Sequence, residues 1–207
     1  MNSPETSRDL PPPTVSSHDR ILTAAKQLFA SRGYENTSTV AIARLAGTSE
    51  SQLMKHFGSK EGLLEAIFDQ GWERLGYALR GIHELPTPTE KLLTLLDLVL
   101  SAFERDQELK ELLLLEGRRV RKEGRMVLLT RGYREFVKTV DSLLLEMRAT
   151  GALRASANLQ AIRSGLMGML EGLLRDQLLA RRVGYAAAYN NQEIQSLFSS
   201  VLGALRS

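Results

Sequence analysis

Residues 37–60 read TSTVAIARLAGTSESQLMKHFGSK, and the reading of this stretch decides the fold. Two short helices joined by a tight turn fit it, with a further helix starting at once behind them. Val40, Ile42, Ala43, Leu45 and Ala46 supply an apolar face for the first, and Gly47-Thr48 break it. Ser49 is a natural N-cap for the second, which carries Leu53 and Phe57 on one side. Glu50, Ser51, Gln52, Met54, Lys55 and His56 then point elsewhere. A helix pair this small cannot bury a core alone. It makes sense as a helix-turn-helix that leans on its neighbours and presents its second helix to a DNA groove.

The flanks supply those neighbours. Upstream, Ile21, Ala24, Ala25, Leu28 and Phe29 follow the helical i, i+3, i+4, i+7, i+8 spacing, predicting a helix over 17–32 capped by Ser16 or Ser17 and ended by a left-handed Gly33. Before it, residues 1–16 are rich in Pro, Ser and Thr, with Pro11-Pro12-Pro13, and are expected to form a disordered arm. Downstream, Ser59-Lys60-Glu61 starts a fourth helix over about 59–80, with Leu63, Leu64, Ile67, Phe68, Trp72 and Leu75 on its apolar face. GIHELPTP (81–88) is the clearest break. Thr87-Pro88-Thr89-Glu90 then reads as a capping box with Pro at the first helical position.

Further helices are predicted to about Glu104, over 106–121, over 125–149 after Gly124 and before Gly151, from Ser156 or Asn158 to about Arg182, and from Asn190-x-x-Glu193 to about Leu205. No segment has a period-2 apolar pattern. The expected class is all-α with about nine helices: an arm (1–16), a helix-turn-helix bundle (17–62) and a larger helical domain (63–207).

Composition narrows the function classes. Of 207 residues, 43 % are hydrophobic, enough for a sizeable core, and none is cysteine, which excludes disulfides and thiolate chemistry. His18, His56 and His83 lie too far apart in sequence for metal-ligand spacing. No nucleophile–base pair, Glu-x-x-His pair or cofactor loop is present, so the chain is expected to be neither an enzyme nor a cofactor carrier. No apolar run approaches a membrane span of about 18 residues, and the N-terminus lacks the apolar core of a signal peptide, so the expected compartment is the cytoplasm. The net charge is +3, yet residues 1–70 hold seven Lys/Arg against eight Asp/Glu. Affinity for a polyanion must come from local placement of charge and N–H groups rather than bulk charge.

About 45 residues resemble the TetR family of bacterial one-component regulators. The words that carry the resemblance are Phe29 and Gly33-Tyr34; Thr37-Ser38 before Ile42-Ala43; Ala46-Gly47-Thr48-Ser49 at the turn; and His56-Phe57-x-Ser59-Lys60-Glu61-x-Leu63. Two departures stand out. Met54 occupies a place where the family usually has Tyr, and Ser51 and Gln52 stand where small residues are common.

The resemblance implies a homodimeric, ligand-responsive transcriptional regulator, most often a repressor, binding a palindromic double-stranded DNA operator through the major groove and released by a small effector. Its DNA face would be Thr37, Ser38, Thr39, Ser49, Glu50, Ser51, Gln52, Met54, Lys55, His56 and Lys60. Gln52 has two roles open: bidentate reading of adenine, or folding back onto the Ser49 N–H. Lys55 is a phosphate or guanine contact or a solvated lysine; His56 contacts a phosphate or packs at the helix end. Lys60 opposes the dipole of its own helix, a cost that a DNA phosphate would justify. The effector pocket would be lined by Trp72, Phe103, Met126, Tyr133, Phe136, Met147 and Met167, whose character points to a hydrophobic molecule. The last two helices would pair with those of a second copy through Ile162, Gly165, Leu166, Met169 and Leu173, and through Ile194, Leu197, Phe198, Val201 and Leu202. The basic run Arg118, Arg119, Arg121, Lys122 and Arg125 reads as a solvated helix end. The near-neutral N-terminal region and Met54 leave a second reading open, a small-molecule- or protein-binding module without specific DNA binding.

Overall fold

The computed structural model describes residues 16–119, 126–184 and 187–206. The predicted arm, apart from Ser16, lies outside them, as do Gly124, Arg121, Lys122 and Arg125. Among the described residues there are nine α-helices and no β-strand: α1 (Ser17–Arg32), α2 (Thr39–Leu45), α3 (Glu50–Phe57), α4 (Lys60–Ala78), α5 (Pro88–Arg105), α6 (Gln107–Glu116), α7 (Arg131–Ala149), α8 (Leu159–Val183) and α9 (Asn191–Ala204).

Every one of these helices starts the same way. Ser16, Ser38, Ser49, Ser59, Thr87, Asp106, Thr130, Asn158 and Asn190 each accept, through the side chain, the backbone N–H three residues on. Each satisfies one of the N–H groups that a helix start leaves unpaired, an interaction worth about 1 kcal/mol. The Asn190–Glu193 box is complete in both directions.

The boundaries differ from expectation in three places, for physical reasons. α4 stops at Ala78 and tightens into a 3-10 turn, Leu79–Glu84, which buries Leu79 and Ile82; the break therefore starts later than residue 81. α6 ends at Glu116 instead of about 121. α7 begins at Arg131, not 125, because Thr130 caps it and Val127 and Leu128 are buried in a turn ahead of it. The apolar run there suited a helix face but is used as a plug. Gly33 has φ +85 and ψ 150, a positive φ but not the left-handed helical cap expected.

Two hydrophobic cores share α4. The N-terminal core gathers Ile21, Ala25, Leu28 and Phe29 of α1, Ile42 of α2 and Leu53 of α3 around Leu63, Leu64, Ile67 and Phe68 of α4, with Leu109 and Leu112 of α6 joining from outside. The second core holds Leu75, then Leu95, Val99 and Leu100 of α5, Leu144 and Met147 of α7, Leu174 and Leu178 of α8, and Ile194, Phe198 and Leu202 of α9. Trp72 packs against both. The N-terminal core thus runs past residue 62 into the middle of α4. Lys26 of α1 reaches Asp106 at 2.6 Å, the same carboxylate that caps α6. The two units are joined through α4 and through the α1–α6 contact.

Candidate functional site

The helix-turn-helix is built on few anchors. In α2 the buried residues are Ile42 and Ala43, with Ala46 just beyond; Val40 and Leu45, expected on the same face, are half exposed. They flank the buried stripe on either side of a helix too short to bury more than that stripe. Gly47 at φ +63 makes the turn in a conformation that costs a side chain energy, and Arg20 Nε of α1 donates to Ala46 O at 3.0 Å, pinning it. Leu53 is the single buried residue of α3. At the far end His18 stacks on Phe57, ring centroids 4.9 Å apart. His18 is therefore a packing element rather than a free helix-end residue. A hydrogen bond from Ser16, and then one from His18, hold the Asp19 carboxyl below the usual carboxylate range.

The predicted DNA-face residues divide. Ser49, Glu50, Ser51, Met54, Lys55 and His56 are exposed, and Gln52 is half-buried. The Gln52 amide lies 3.2 Å from His56 Nε2, which is also 3.0 Å from Ser17 Oγ. Gln52 thus turns toward His56 rather than back toward Ser49. Thr39 donates to the Glu50 carboxylate, tying the starts of α2 and α3 together. Ser38 is exposed and caps α2. Lys60 lies half-buried with Nζ 4.3 Å from the Tyr34 ring centre and 3.4 Å from Glu35 O, next to the entry of α2. Arg44, exposed in the last turn of α2, was not anticipated; an Arg opposite Ile42 and Ala43 was the available signal.

Thr37 departs from its expected role. It is 2 % exposed, and its one hydroxyl proton is shared between Gly33 O at 2.8 Å and Leu28 O at 3.2 Å. It closes the α1–α2 connection and presents no surface donor. Thr37→Val keeps the shape and strands these acceptors, so a loss of about 1–3 kcal/mol in unfolding free energy is expected. Urea denaturation measures it. DNA affinity at low temperature, where both forms are folded, should stay within about threefold.

Five of the seven predicted pocket residues meet. Trp72, Phe103, Tyr133, Phe136 and Met167 line a cavity of about 100 Å³, together with Val99, Leu113, Leu114, Leu128, Leu170 and Leu174. Trp72 stacks near Phe136 (4.9 Å) and meets Tyr133 edge-on (5.3 Å). Burial pushes the Tyr133 phenol up. Met147 is fully buried in the second core, and neither it nor Met126 is in the lining of this cavity. Arg118 is at the cavity edge, exposed just past the end of α6 as the basic run implied, and is bonded through Nε to Glu171 of α8 at 2.5 Å. A larger, more polar groove of about 540 Å³ runs between α4 and α7, past Asp69, Arg80, His83 and Arg131. Trp72 and Phe136 form the wall between the two. The N–H of Gly132, in the first turn of α7, donates to Asp69 Oδ1 at 2.7 Å and clamps α7 onto α4. The Trp72 indole Nε1 is shielded from solvent without a hydrogen-bond partner among the described residues, an arrangement costing about 1–3 kcal/mol.

The predicted pairing face also divides. Leu166, Ile194, Phe198 and Leu202 point into the protomer's own core, so they are not surface contacts. The chain buries them because α9 packs on α5 as well as on α8. Gly165 and Leu197 remain exposed, and Ile162, Met169, Leu173 and Val201 half-buried. Ala161, Gly165, Gly168 and Gly172 form an exposed stripe of small residues along α8.

Among the described residues no group of His, Cys, Asp and Glu converges as a metal site, and no helix is long and apolar enough to cross a membrane. Residues 21–67 match the family model described as bacterial regulatory proteins, tetR family. YvkB of Bacillus subtilis (strain 168), named as an uncharacterized HTH-type transcriptional regulator, is 45 % identical over 51 residues, 25 % of this chain and 27 % of its own length. The chain thus matches only about a quarter of that relative. The fatty acid metabolism regulator protein of the same organism is 23 % identical over 188 residues, 88 % of this chain and 94 % of its own. The solved structure of FadR from Bacillus subtilis in complex with stearoyl-CoA shares the fold, with a TM-score of 0.71 at 22 % identity over 92 % of this chain and 98 % of that one. Residues 21–67 thus match the helix-turn-helix of the tetR family, and the helical architecture behind them is the one these solved structures share.

Proposed function

We propose that the protein is a cytoplasmic, homodimeric transcriptional repressor that binds a palindromic DNA operator and releases it when a small hydrophobic effector occupies the cavity beside Trp72. The observation that carries this reading is α3. It is held by one buried side chain, Leu53, while Glu50, Ser51, Met54, Lys55 and His56 stay exposed. A helix so lightly anchored, yet capped and tied to α2, suits insertion into the major groove. Two such helices in a dimer would enter successive grooves about 34–36 Å apart. Ser38 and Lys60, beside the entry to α2, are placed for the DNA backbone, and Arg44 adds a cation next to the turn. The exposed small-residue stripe of α8, with Leu197 of α9, supports pairing of two copies by close helix approach.

The relatives' names speak of regulators, and one neighbour holds stearoyl-CoA, which supports an apolar effector. Coupling has a physical route. α4 carries Leu63, Leu64, Ile67 and Phe68 in the N-terminal core and Trp72 at the cavity, and the Asp69–Gly132 clamp lies between them. A ligand that prefers another α4–α7 spacing shifts the population of DNA-competent dimers by its differential affinity for the two states.

Gel shift with promoter DNA from the protein's own genomic neighbourhood tests the reading. Binding should weaken steeply with salt. Lys60→Ala should weaken it about five- to tenfold and lower the salt slope by about one. Absence of any salt-sensitive complex would favour instead a small-molecule- or protein-binding module, the reading that the seven-to-eight charge balance of residues 1–70 allows.

A further inference from the structure

Beside its buried anchor Leu53, α3 presents three rows of side chains, and two of them are tied to neighbouring helices. Residues four apart share a face of a helix, so Glu50 and Met54 form one flank and Gln52 and His56 the other. Glu50 accepts the Thr39 hydroxyl of α2. On the other flank His56 Nε2 lies 3.2 Å from the Gln52 amide and 3.0 Å from Ser17 Oγ of α1. The row between the flanks is Ser51 and Lys55. Each is two residues from Leu53, so each stands about 160° around the helix from that anchor. Both are exposed, and neither has a hydrogen bond or ion pair among the described residues. The helix is thus held at its sides, and its outermost row is the one left unengaged. Chemistry selects what that row meets. An ammonium has three donors and no acceptor. In the major groove guanine shows two acceptors, N7 and O6, whereas adenine sets an amino group beside N7 and thymine a methyl group beside O4. Ser51, one turn before Lys55, is short enough to let the helix approach the groove floor. Lys60 and Arg44, the cations beside the entry and the turn of α2, belong to other helices.

We propose that Lys55 sets the operator specificity by holding a guanine in each half-site, and that Gln52 reads no base but holds the flank of α3 through His56. This rests on the DNA-binding reading above and deepens it by naming the base pair that is read and the side chain that reads it.

A random-sequence duplex pool, enriched on the full-length protein at fixed salt, tests it. The expected motif is a palindrome with a G·C pair in each half-site. Lys55→Ala should make that pair degenerate while the other positions keep their preference, and Gln52→Ala should leave the motif as it is. Lys55 is exposed, so helical circular dichroism should not change in its variant. A second measurement works on the selected duplex. Replacing the guanine by 7-deazaguanine removes the N7 acceptor and keeps the base pair. It should weaken binding about tenfold for the parent, and less than about twofold for Lys55→Ala, which has no ammonium left to lose a partner. A lysine placed on a phosphate behaves otherwise: its loss weakens all sequences alike, lowers the salt slope by about one and leaves the motif intact. That outcome overturns the proposal, as does a parent protein indifferent to 7-deazaguanine, or a position that turns degenerate in Gln52→Ala. A pool from which nothing is enriched by the parent overturns the DNA-binding reading itself, and the assignment of Lys55 with it.

Discussion

Gly62→Ala is expected to cost the protein both stability and DNA binding. Gly62 sits in the first turn of α4, directly under the end of α3. A Cβ there would stand 2.2 Å from the Phe57 carbonyl oxygen and 3.4 Å from Ser59 Oγ. The first is a backbone atom and cannot swing away. The connection is also closed on every side: Gly58 adopts φ +72 and donates to Met54 O at 2.8 Å, Ser59 N donates to Phe57 O at 2.8 Å, and Gly62 N donates to Ser59 Oγ at 2.9 Å. Relief must therefore come from rotating α3 against α4, and α3 has only Leu53 to resist it. Overpacking of this kind costs about 1–3 kcal/mol. At about 2–4 °C per kcal/mol for a chain this long, the melting temperature should fall by roughly 3–10 °C. Re-aiming α3 removes one or more groove contacts, each worth about 1–3 kcal/mol, so operator affinity should drop about ten- to a hundredfold. Calorimetry and gel shift check the two effects. Gly76→Ala in the same helix is the control: its Cβ meets nothing within 4 Å, and it should be neutral or stabilising by up to about 1 kcal/mol. A Gly62→Ala protein as stable and as tight on DNA as the parent would refute this account of the α3–α4 turn.

Gly132→Ala, in α7, should act on the middle of α4. Its Cβ would lie 2.6 Å from Trp72 Cβ and 2.9 Å from Asp69 Oδ1. Trp72 Cβ is one bond from the backbone and yields little. Asp69 could turn aside only by releasing the 2.7 Å bond to Gly132 N–H. α7 must then retreat from α4, which opens the wall of Trp72 and Phe136 between the two cavities. A loss of about 1–3 kcal/mol is expected, with a red shift of the single tryptophan's emission as water reaches it. Affinity for a cavity ligand should fall at least about tenfold, because a ligand loses its shape complement and the indole gains water. Because the α4–α7 spacing is the proposed route of coupling, DNA affinity without effector should fall as well, as the population of DNA-competent dimers shifts. An unshifted emission spectrum with unchanged ligand affinity would show that α7 is not clamped in this way.

The two glycines illustrate what reading the chain could and could not reach. Gly47 was evident as a turn because it separates two helical patterns, and its φ of +63 agrees. Gly62 and Gly132 sit inside or at the start of helical patterns, where composition offers no reason for them. Their reason is a neighbouring helix, three to five residues away in one case and sixty in the other. Thr37 repeats the lesson. Beside Ser38 and Thr39 it looked like one more hydroxyl at a helix start, but Gly33 O and Leu28 O fold over it and bury it.

Local physics accounts for what the amino-acid order settled. Capping residues satisfy N–H groups within three residues of themselves, so most helix starts were evident, and Thr130 was hidden only because an apolar plug precedes it. The helix-turn-helix was evident because its anchors, cap and turn all lie within 24 consecutive residues. Periodicity shows that a helix has an apolar face but not which element covers it. That is why Ile194, Phe198 and Leu202 looked like a pairing surface and prove to be the protomer's own core under α5. It is also why Met147 is core, Arg118 is bonded to Glu171 at the cavity edge, and Trp72 stands between two cavities with an N–H that finds no acceptor among the described residues. These facts depend on pairs of residues tens of positions apart, brought together by helix packing, and only the tertiary structure decides them.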